Sequence, residues 1–153
     1  PDAPVDDGVT AIRIALSRLP RHTRSELRFS TFEATNNLDA FQAVQHFTLS
    51  NPPHPFLVLA GEPGRGKTHL AIAALWSWLE RGGSGCYYQV EEFLDALRDG
   101  FGRPADDPRS TGSVLNYAKC CGLLVLDDLG AHAETRTGDG PSWAEAKLDE
   151  VID

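Results

Sequence analysis

The stretch LAGEPGRGKTHLA, residues 59–71, is the strongest indication of fold in this 153-residue chain. Residues 61–68 within it match the pattern GxxxxGK followed by Ser or Thr, whose glycines let backbone N–H groups converge on phosphate oxygens. The apolar run FLVLA (56–60) precedes the pattern, and the helical run KTHLAIAALWSWLE (67–80) follows it. A strand, a glycine-rich loop and the start of a helix in this order are typical of a P-loop, so the stretch predicts a phosphate-binding site.

Each residue type in the loop has a role in holding a nucleotide triphosphate. Lys67 is expected to reach the β- and γ-phosphates, which makes it a candidate catalytic residue, and the Thr68 hydroxyl is a candidate Mg²⁺ ligand. The N-terminus of the helix adds partial positive charge beside the phosphates. The alternative is a glycine turn that binds no nucleotide. The candidate nucleotide-binding residues of this motif are Gly61, Glu62, Pro63, Gly64, Arg65, Gly66, Lys67 and Thr68.

A second motif, LLVLDD (123–128), joins four apolar residues to two acids. This pattern is typical of a buried strand that ends in a Walker B site. Asp127 is the candidate ligand of Mg²⁺, through water, and Asp128 is the candidate that orients or deprotonates an attacking water. Either acid alone could instead be a turn residue at the end of a strand. Together with the loop, the acids predict Mg²⁺ binding and hydrolysis of a nucleotide by water, and no acceptor signature of a small-molecule kinase is visible.

The remaining pattern predicts an α/β fold with a parallel sheet, because predicted strands alternate with predicted helices. The strands cover residues 56–60, 86–90 and 123–128, and the helices cover residues 9–19, 36–49, 67–80, 91–101, 113–120 and 142–153. Asn36 or Asn37 is expected to cap the second helix, and Ser142 with Glu145 forms a capping box at the last. The polar loops are residues 102–112, expected to be mobile, and 130–141.

Composition excludes several classes of protein. The net charge of −8 argues against a strongly basic nucleic-acid binder, and no apolar run reaches the roughly 20 residues of a membrane span. No signal peptide is visible. Cys86, Cys120 and Cys121 form neither a disulfide framework nor a paired zinc motif, so we expect small buried residues in a reducing cytosol and a cytoplasmic location.

The N-terminal region differs in character from the rest of the chain. Residues 1–8 are rich in Pro and Asp and are expected to be disordered. Basic residues then gather, and they form either a solvated linker or a small patch for nucleic acid or an acidic partner. They are Arg13, Arg18, Arg21, Arg24 and Arg28.

The segments GEPGRGKTHLA, LLVLDDLGA and SWAEAKLDEVID together resemble the DnaC/DnaI/IstB group of AAA+ ATPases, which contains replicative-helicase loaders and transposase helpers. The segment before the loop, LRFSTFEATNNLDAFQAVQHF, is also similar, so the resemblance covers residues 27–153. It implies a P-loop NTPase fold of the ASCE type, with three α/β/α layers around a parallel sheet. It further implies that residues 1–26 are a disordered or helical basic linker and that 27–153 are the N-terminal portion of an AAA+ domain.

The resemblance also assigns residues outside the two motifs. Phe29 and Phe32 match the region near the adenine base, although plain packing is the alternative for both. His69 belongs to the family motif, and a structural role is its alternative. Asp128 stands where many AAA+ proteins have Glu. His132 and the long loop 133–141 depart from the family pattern.

The family's sensor residues and arginine finger are not found in residues 1–153. In the family, strands that carry them lie beside the P-loop strand, so the resemblance implies a fold that is incomplete at the C-terminus. We therefore expect strands 56–60 and 123–127 not to pair directly, and we expect weak nucleotide binding and poor hydrolysis.

The resemblance implies an ATP-driven switch that assembles as a homo-oligomer and loads a replicative helicase or assists a transposase. Single-stranded DNA is a further candidate partner. Two alternatives remain open: a nucleotide-dependent binding module without turnover, and a small-molecule phosphotransferase. The sequence does not choose between helicase loading and transposition.

Overall fold

The structure is a computed structural model that describes residues 7–20, 22–35, 37–50, 56–129 and 143–152. The chain divides into two compact units, residues 1–87 and 88–153, and each is described by itself. The helices are α1 (Asp7–Leu16), α2 (Thr23–Glu26), α3 (Leu38–Leu49), α4 (Lys67–Glu80), α5 (Val90–Asp99), α6 (Thr111–Cys120) and α7 (Trp143–Ile152). The strands are β1 (Gly85–Gln89) and β2 (Leu123–Asp127), and a 3₁₀ turn covers Phe29–Thr31.

Helix α4 is the centre of the first unit. It is apolar around most of its circumference, which is typical of a helix buried on several sides. Helices α1 and α3 and the 3₁₀ turn all contact it. Its buried residues are Leu70, Ile72, Ala73, Ala74, Leu75, Trp76 and Leu79. The helix that carries the loop lysine is therefore fixed at the core of its unit.

Specific bonds attach the segment before α3 to α4. Trp76 Nε1 donates to Thr23 Oγ1 at 3.1 Å, and Thr23 Oγ1 donates to the carbonyl of Pro20 at 2.6 Å. Arg28 Nη2 lies 2.6 Å from Glu80 Oε1. Because both members of these contacts are wholly or partly buried, they hold the segment that contains α2 and Arg28 against α4.

The prediction that residues 1–8 are disordered is wrong in part. Helix α1 begins at Asp7, so the predicted disorder of residues 1–8 is wrong at Asp7 and Gly8, while residues 1–6 lie outside the described part of the chain. The assignment of residues 1–26 as a linker stays a prediction.

The predicted strand at 56–60 is not a strand among the described residues. Phe56, Leu57 and Val58 are 57%, 39% and 76% exposed, whereas a strand inside a sheet would bury them. A strand forms only when a neighbour supplies the ladder hydrogen bonds. In the described part of the chain, the two strands that pair are β1 and β2.

The two strands form a parallel sheet in the order β1–β2, and the division between the units falls inside β1. Residues 85–88 of β1 are buried and Gln89 is exposed. Helix α5 follows at Val90 without a loop, and the predicted strands at 86–90 and 123–128 are thereby confirmed to within one residue.

In the second unit, α5 packs on α6 and α6 packs on α7. The buried face of α5 consists of Val90, Phe93, Leu94 and Leu97, at helical spacing. Ser110 caps α6, because its side chain accepts a hydrogen bond from the Ser113 N–H. The chain leaves α6 at Cys120 and enters β2 at Leu123.

The polar loop 102–112, expected to be mobile, contains its own hydrogen-bond network. The carboxylate of Asp107 accepts from the Arg109 N–H at 2.8 Å, and its other oxygen lies 3.4 Å from Arg103 Nη1. The Ser113 hydroxyl donates to the Asp107 carbonyl at 3.0 Å. The bond from the Arg109 N–H lowers the pKa of Asp107 below its ordinary value of 3.8, with a further contribution from the two arginine side chains.

The lowered pKa predicts a pH dependence of stability. A carboxyl whose pKa falls on folding stabilises the fold above its unfolded pKa, and this contribution disappears as the pH drops through the folded value. We therefore expect wild-type protein to lose more stability than Asp107→Asn between pH 6 and pH 3, as measured by urea unfolding at each pH. Asp106→Asn, at the exposed neighbouring position, is the matched control. Equal losses in wild type and Asp107→Asn would contradict the role given to this carboxylate.

The cysteines agree only in part with the expectation of small buried residues. Cys86 is buried, but Cys120 is exposed and Cys121 is half-buried, because both lie at the end of α6. None of the three is part of a disulfide. Of the helices described, none has both the length and the apolar character that a membrane crossing needs.

Candidate nucleotide-binding site

The loop between residues 60 and 67 has the backbone that its glycines permit. Gly61, Gly64 and Gly66 have φ angles of +148°, +77° and +81°. Gly66 occupies the N-cap position of α4 in the left-handed conformation, which glycine adopts without the strain of a side chain. The first bond of the helix runs from the Leu70 N–H to the Gly66 carbonyl at 3.0 Å. The loop is therefore followed directly by a helix N-terminus, whose partial positive charge favours binding of an anion.

The Lys67 side chain is hydrogen-bonded to the start of the loop. Its Nζ donates to the carbonyl of Gly61 at 2.7 Å and to the carbonyl of Glu62 at 2.9 Å. The ammonium therefore lies against the start of the loop, at the N-terminus of α4. Arg65 and Glu62 form an ion pair at 3.0 Å, but with 55% and 77% of the side chains exposed it contributes little stability. Residues 61–65 are exposed, so the loop is open to a ligand from solvent.

Phe32 forms a wall behind the loop. A Cβ added to Gly66 would lie 2.6 Å from Cε2 and 3.2 Å from Cζ of the Phe32 ring, so the ring contacts the Gly66 α-carbon. Phe32 stacks on Phe41 with ring centroids 5.7 Å apart, and Phe29 meets Phe41 edge-on at 5.8 Å. Phe29 and Phe32 pack against the buried cluster of Val44, Leu70 and Ala74. Packing is thus their visible role, and proximity to an adenine base stays a prediction.

His69 faces the segment before α3. Its Nε2 lies 2.9 Å from the Arg28 carbonyl and 3.4 Å from Thr31 Oγ1. Its ring meets Phe32 edge-on at 5.1 Å. Because a carbonyl only accepts, Nε2 carries the proton in this contact. These contacts give His69 a structural role, and its contact with nucleotide stays a prediction.

Asn37 is a residue of the site that sequence reasoning missed. It holds the N-cap position of α3, as predicted, but its side chain makes no capping bond, and Asn36 lies outside the described residues. Instead, Asn37 Nδ2 donates to the carbonyl of Arg65 in the loop at 3.0 Å. No local pattern signals this bond, because the two residues are 28 positions apart.

The two predicted acids lie in the second unit, whereas the loop lies in the first. Asp127 is the half-buried last residue of β2, and Asp128 follows it exposed. The Asp128 N–H donates to Asp127 Oδ1 at 3.1 Å, and Asp128 has a φ of +59°, a conformation that Asp tolerates better than most residues. The backbone therefore turns at Asp128, directly after the end of β2.

The chemistry of the predicted Mg²⁺ ligands suits the ion. A hydroxyl at Thr68 and a carboxylate at Asp127 are the hard oxygen donors that Mg²⁺ prefers, and in nucleotide sites this ion takes its other ligands from water and phosphates. Over the described ranges, no group of three or more His, Cys, Asp or Glu side chains is arranged to hold a metal. His132, the loop 133–141 and Ser142 lie outside the described residues.

Comparison with known proteins gives a family match. The model of the family of IstB-like ATP binding proteins matches residues 9–139, which contain the P-loop and both acids. The replicative helicase loader DnaC of Escherichia coli strain K12 is 33% identical over 79 residues, which are 52% of this chain and 31% of the relative. The replicative helicase loader DnaC of Shigella flexneri matches with the same figures.

The matched region spans only 31% of the length of these curated relatives. No solved structure matches the chain significantly. The family model and the relatives nevertheless confirm the resemblance to the DnaC/IstB group that the motifs indicated.

Proposed function

Because this chain belongs to the family of IstB-like ATP-binding proteins, we propose that it is an ATP-binding switch of the AAA+ type that acts with a DNA-processing partner. The observation that carries the proposal is the loop geometry. Gly66 turns the chain with a φ of +81° into the N-terminus of α4, and Lys67 lies across the loop on the carbonyls of Gly61 and Glu62. When ATP binds, the lysine ammonium would exchange these neutral acceptors for phosphate oxygens, which form stronger, charge-assisted bonds.

We propose ATP hydrolysis as the reaction. Thr68 and Asp127 would hold Mg²⁺, which supplies charge neutralisation between the phosphates. Asp128 would accept a proton from the water whose oxygen attacks the γ-phosphorus, and the bond to the ADP oxygen would break. The side chain of Asp is one methylene shorter than that of Glu, so its carboxylate reaches less far towards the attacking water. Slow or partner-dependent turnover is therefore expected.

The proposed partner is a replicative helicase. Two relatives are helicase loaders, and a net charge of −8 suits a protein partner better than duplex DNA. Single-stranded DNA is a further proposed partner, and assembly as a homo-oligomer would let a neighbouring copy supply an arginine to the ATP site. The three cysteines form no disulfide, which suits a reducing compartment, so the proposed location is the cytoplasm.

A second candidate is a helper ATPase for a transposase. The family description, IstB-like, favours it, whereas the helicase-loader relatives favour the first candidate. Binding of the purified chain to a replicative helicase, compared with its binding to a transposase, separates the two. A binding module without turnover would bind ATP and release no ADP, and a phosphotransferase would release ADP only when an acceptor is added.

Asp128→Asn is expected to slow ATP hydrolysis by about a hundredfold while leaving ATP affinity unchanged, because an amide does not take the proton of the attacking water. Asparagine accepts a positive φ as readily as aspartate, so the backbone turn should persist. The measurement is phosphate release with replicative helicase and single-stranded DNA present.

Asp149→Asn, an exposed acid on α7, is the matched control for the charge change. Equal rates in wild type and Asp128→Asn would remove Asp128 from the reaction. A wild-type rate that stays at background with every partner would favour the binding module.

A further inference from the structure

Asn37 lies outside the phosphate-binding motif, yet its side chain is bonded to the motif's backbone. Its Nδ2 donates to the carbonyl oxygen of Arg65 at 3.0 Å. An asparagine at an N-cap ordinarily accepts a hydrogen bond from the first turn of its own helix, and Asn37 makes no such bond to α3. The side chain therefore serves the loop instead of the helix that it precedes.

The bond fixes the direction of a neighbouring N–H. In a planar trans peptide, the C=O and the following N–H point in opposite directions. The peptide between Arg65 and Gly66 is trans, so holding the Arg65 oxygen towards Asn37 turns the Gly66 N–H to the opposite side. A loop that binds phosphate must present N–H groups, not carbonyl oxygens, to the anion.

This peptide needs an external restraint because a glycine follows it. The peptide rotates about ψ of Arg65 and φ of Gly66, and the φ of Gly66 is +81°. Glycine occupies positive and negative φ with similar ease, so rotation of the peptide would be opposed by little intrinsic strain. A rotated peptide would direct the Arg65 oxygen at the phosphate and repel it.

We propose that Asn37 is a positioning residue that holds the Arg65–Gly66 peptide in its phosphate-binding orientation. This inference rests on the proposed ATP-binding function. Phe32 restrains the same place, because its ring fills the space of a Gly66 Cβ. Lys67 holds the start of the loop through Gly61 and Glu62, so Asn37 supplies the contact at the end of the loop.

The test replaces Asn37 with serine, which caps helices as well as asparagine does but is too short to reach the Arg65 oxygen. We expect ADP to bind about three- to tenfold more weakly, because loss of the bond lowers the fraction of loops in the binding orientation. Displacement of a fluorescent ADP analogue measures the affinity. The melting temperature without nucleotide should stay at the wild-type value.

Two further measurements separate positioning from a general structural role. Inorganic tripolyphosphate should lose affinity by the same factor as ADP, since Asn37 acts on the phosphate loop and not on a base site. Asn116→Ser, an exposed asparagine on α6, is the matched control and should bind as wild type. If Asn37→Ser does not fold, Asn37→Thr provides a second neutral cap that lacks the amide donor.

The outcomes distinguish this inference from the proposed function. Wild-type affinity in Asn37→Ser, or a lower melting temperature with unchanged affinity, overturns the positioning role and leaves ATP binding standing. If the wild-type chain does not bind ADP, or if Lys67→Ala binds as tightly as wild type, the proposed function fails and this inference fails with it. A selective loss of affinity for ADP and tripolyphosphate supports it.

Discussion

Lys67→Ala is expected to weaken ATP binding by about a hundredfold or more, because two charge-assisted bonds to phosphate oxygens are worth roughly 3–6 kcal/mol together. The variant also removes the bonds from Nζ to the carbonyls of Gly61 and Glu62, which hold the start of the loop. Titration with a fluorescent ATP analogue measures the loss.

Lys119→Ala is the matched control for Lys67→Ala. Lys119 also carries a positive charge on a helix, but it lies on α6 and pairs with Glu150 at 3.5 Å. Its loss should leave ATP affinity at the wild-type value. If Lys67→Ala binds the analogue with unchanged affinity, the P-loop interpretation is wrong.

Gly66→Ala is expected to destabilise the fold by about 2–5 kcal/mol. A side chain in the left-handed region costs roughly 1–2 kcal/mol, and overpacking of a well-filled site costs about 1–3 kcal/mol. Both apply here, because Gly66 has a φ of +81° and its added Cβ would lie 2.6 Å from the Phe32 ring. Urea unfolding of the variant and of wild type gives the difference.

Alanine substitutions at two other glycines separate the cost of backbone strain from the cost of the clash with Phe32. Gly64 has a φ of +77° and no atom within 4 Å of an added Cβ, so Gly64→Ala should show the backbone strain alone. Gly112 lies in α6 with open space and no positive φ, so Gly112→Ala should be neutral or stabilising. Equal losses at positions 64 and 66 would refute the contact between Phe32 and Gly66.

Phe32→Leu provides a further check on that contact. If the ring causes the steric part of the loss, Gly66→Ala should cost less in the Phe32→Leu background than in wild type. Residues in contact couple in this way, whereas distant residues contribute additively. Strict additivity would therefore count against the wall that Phe32 forms behind the loop.

The helices were predictable because their signals are local. Helix α4 covers residues 67–80 as predicted, since its loop, its apolar period and the glycines after Arg81 mark both ends in the sequence. The capping expectation at Asn37 was correct in position but wrong in partner. The strand at 56–60 was wrong for a related reason: its apolar run specifies burial, but only a neighbouring strand makes it a strand.

The candidate site was likewise predictable only where its signals are local in the sequence. The order of Gly61, Gly64, Gly66 and Lys67 is enough to predict a phosphate loop, because positive φ and a lysine at a helix N-terminus are properties of residue types. The ring of Phe32 against Gly66 was not predictable from sequence, since it depends on how the segment before α3 lies on α4.

The motifs alone were enough to identify the family and the α/β P-loop fold, and they indicate the loop and the two acids as the candidate site. These inferences follow from short segments, in which each residue acts through its own backbone freedom or charge. The contact of Asn37 with the Arg65 carbonyl and that of His69 with the Arg28 carbonyl became visible only in the folded chain. Both contacts join residues far apart in the chain, and packing of the intervening helices sets their distance.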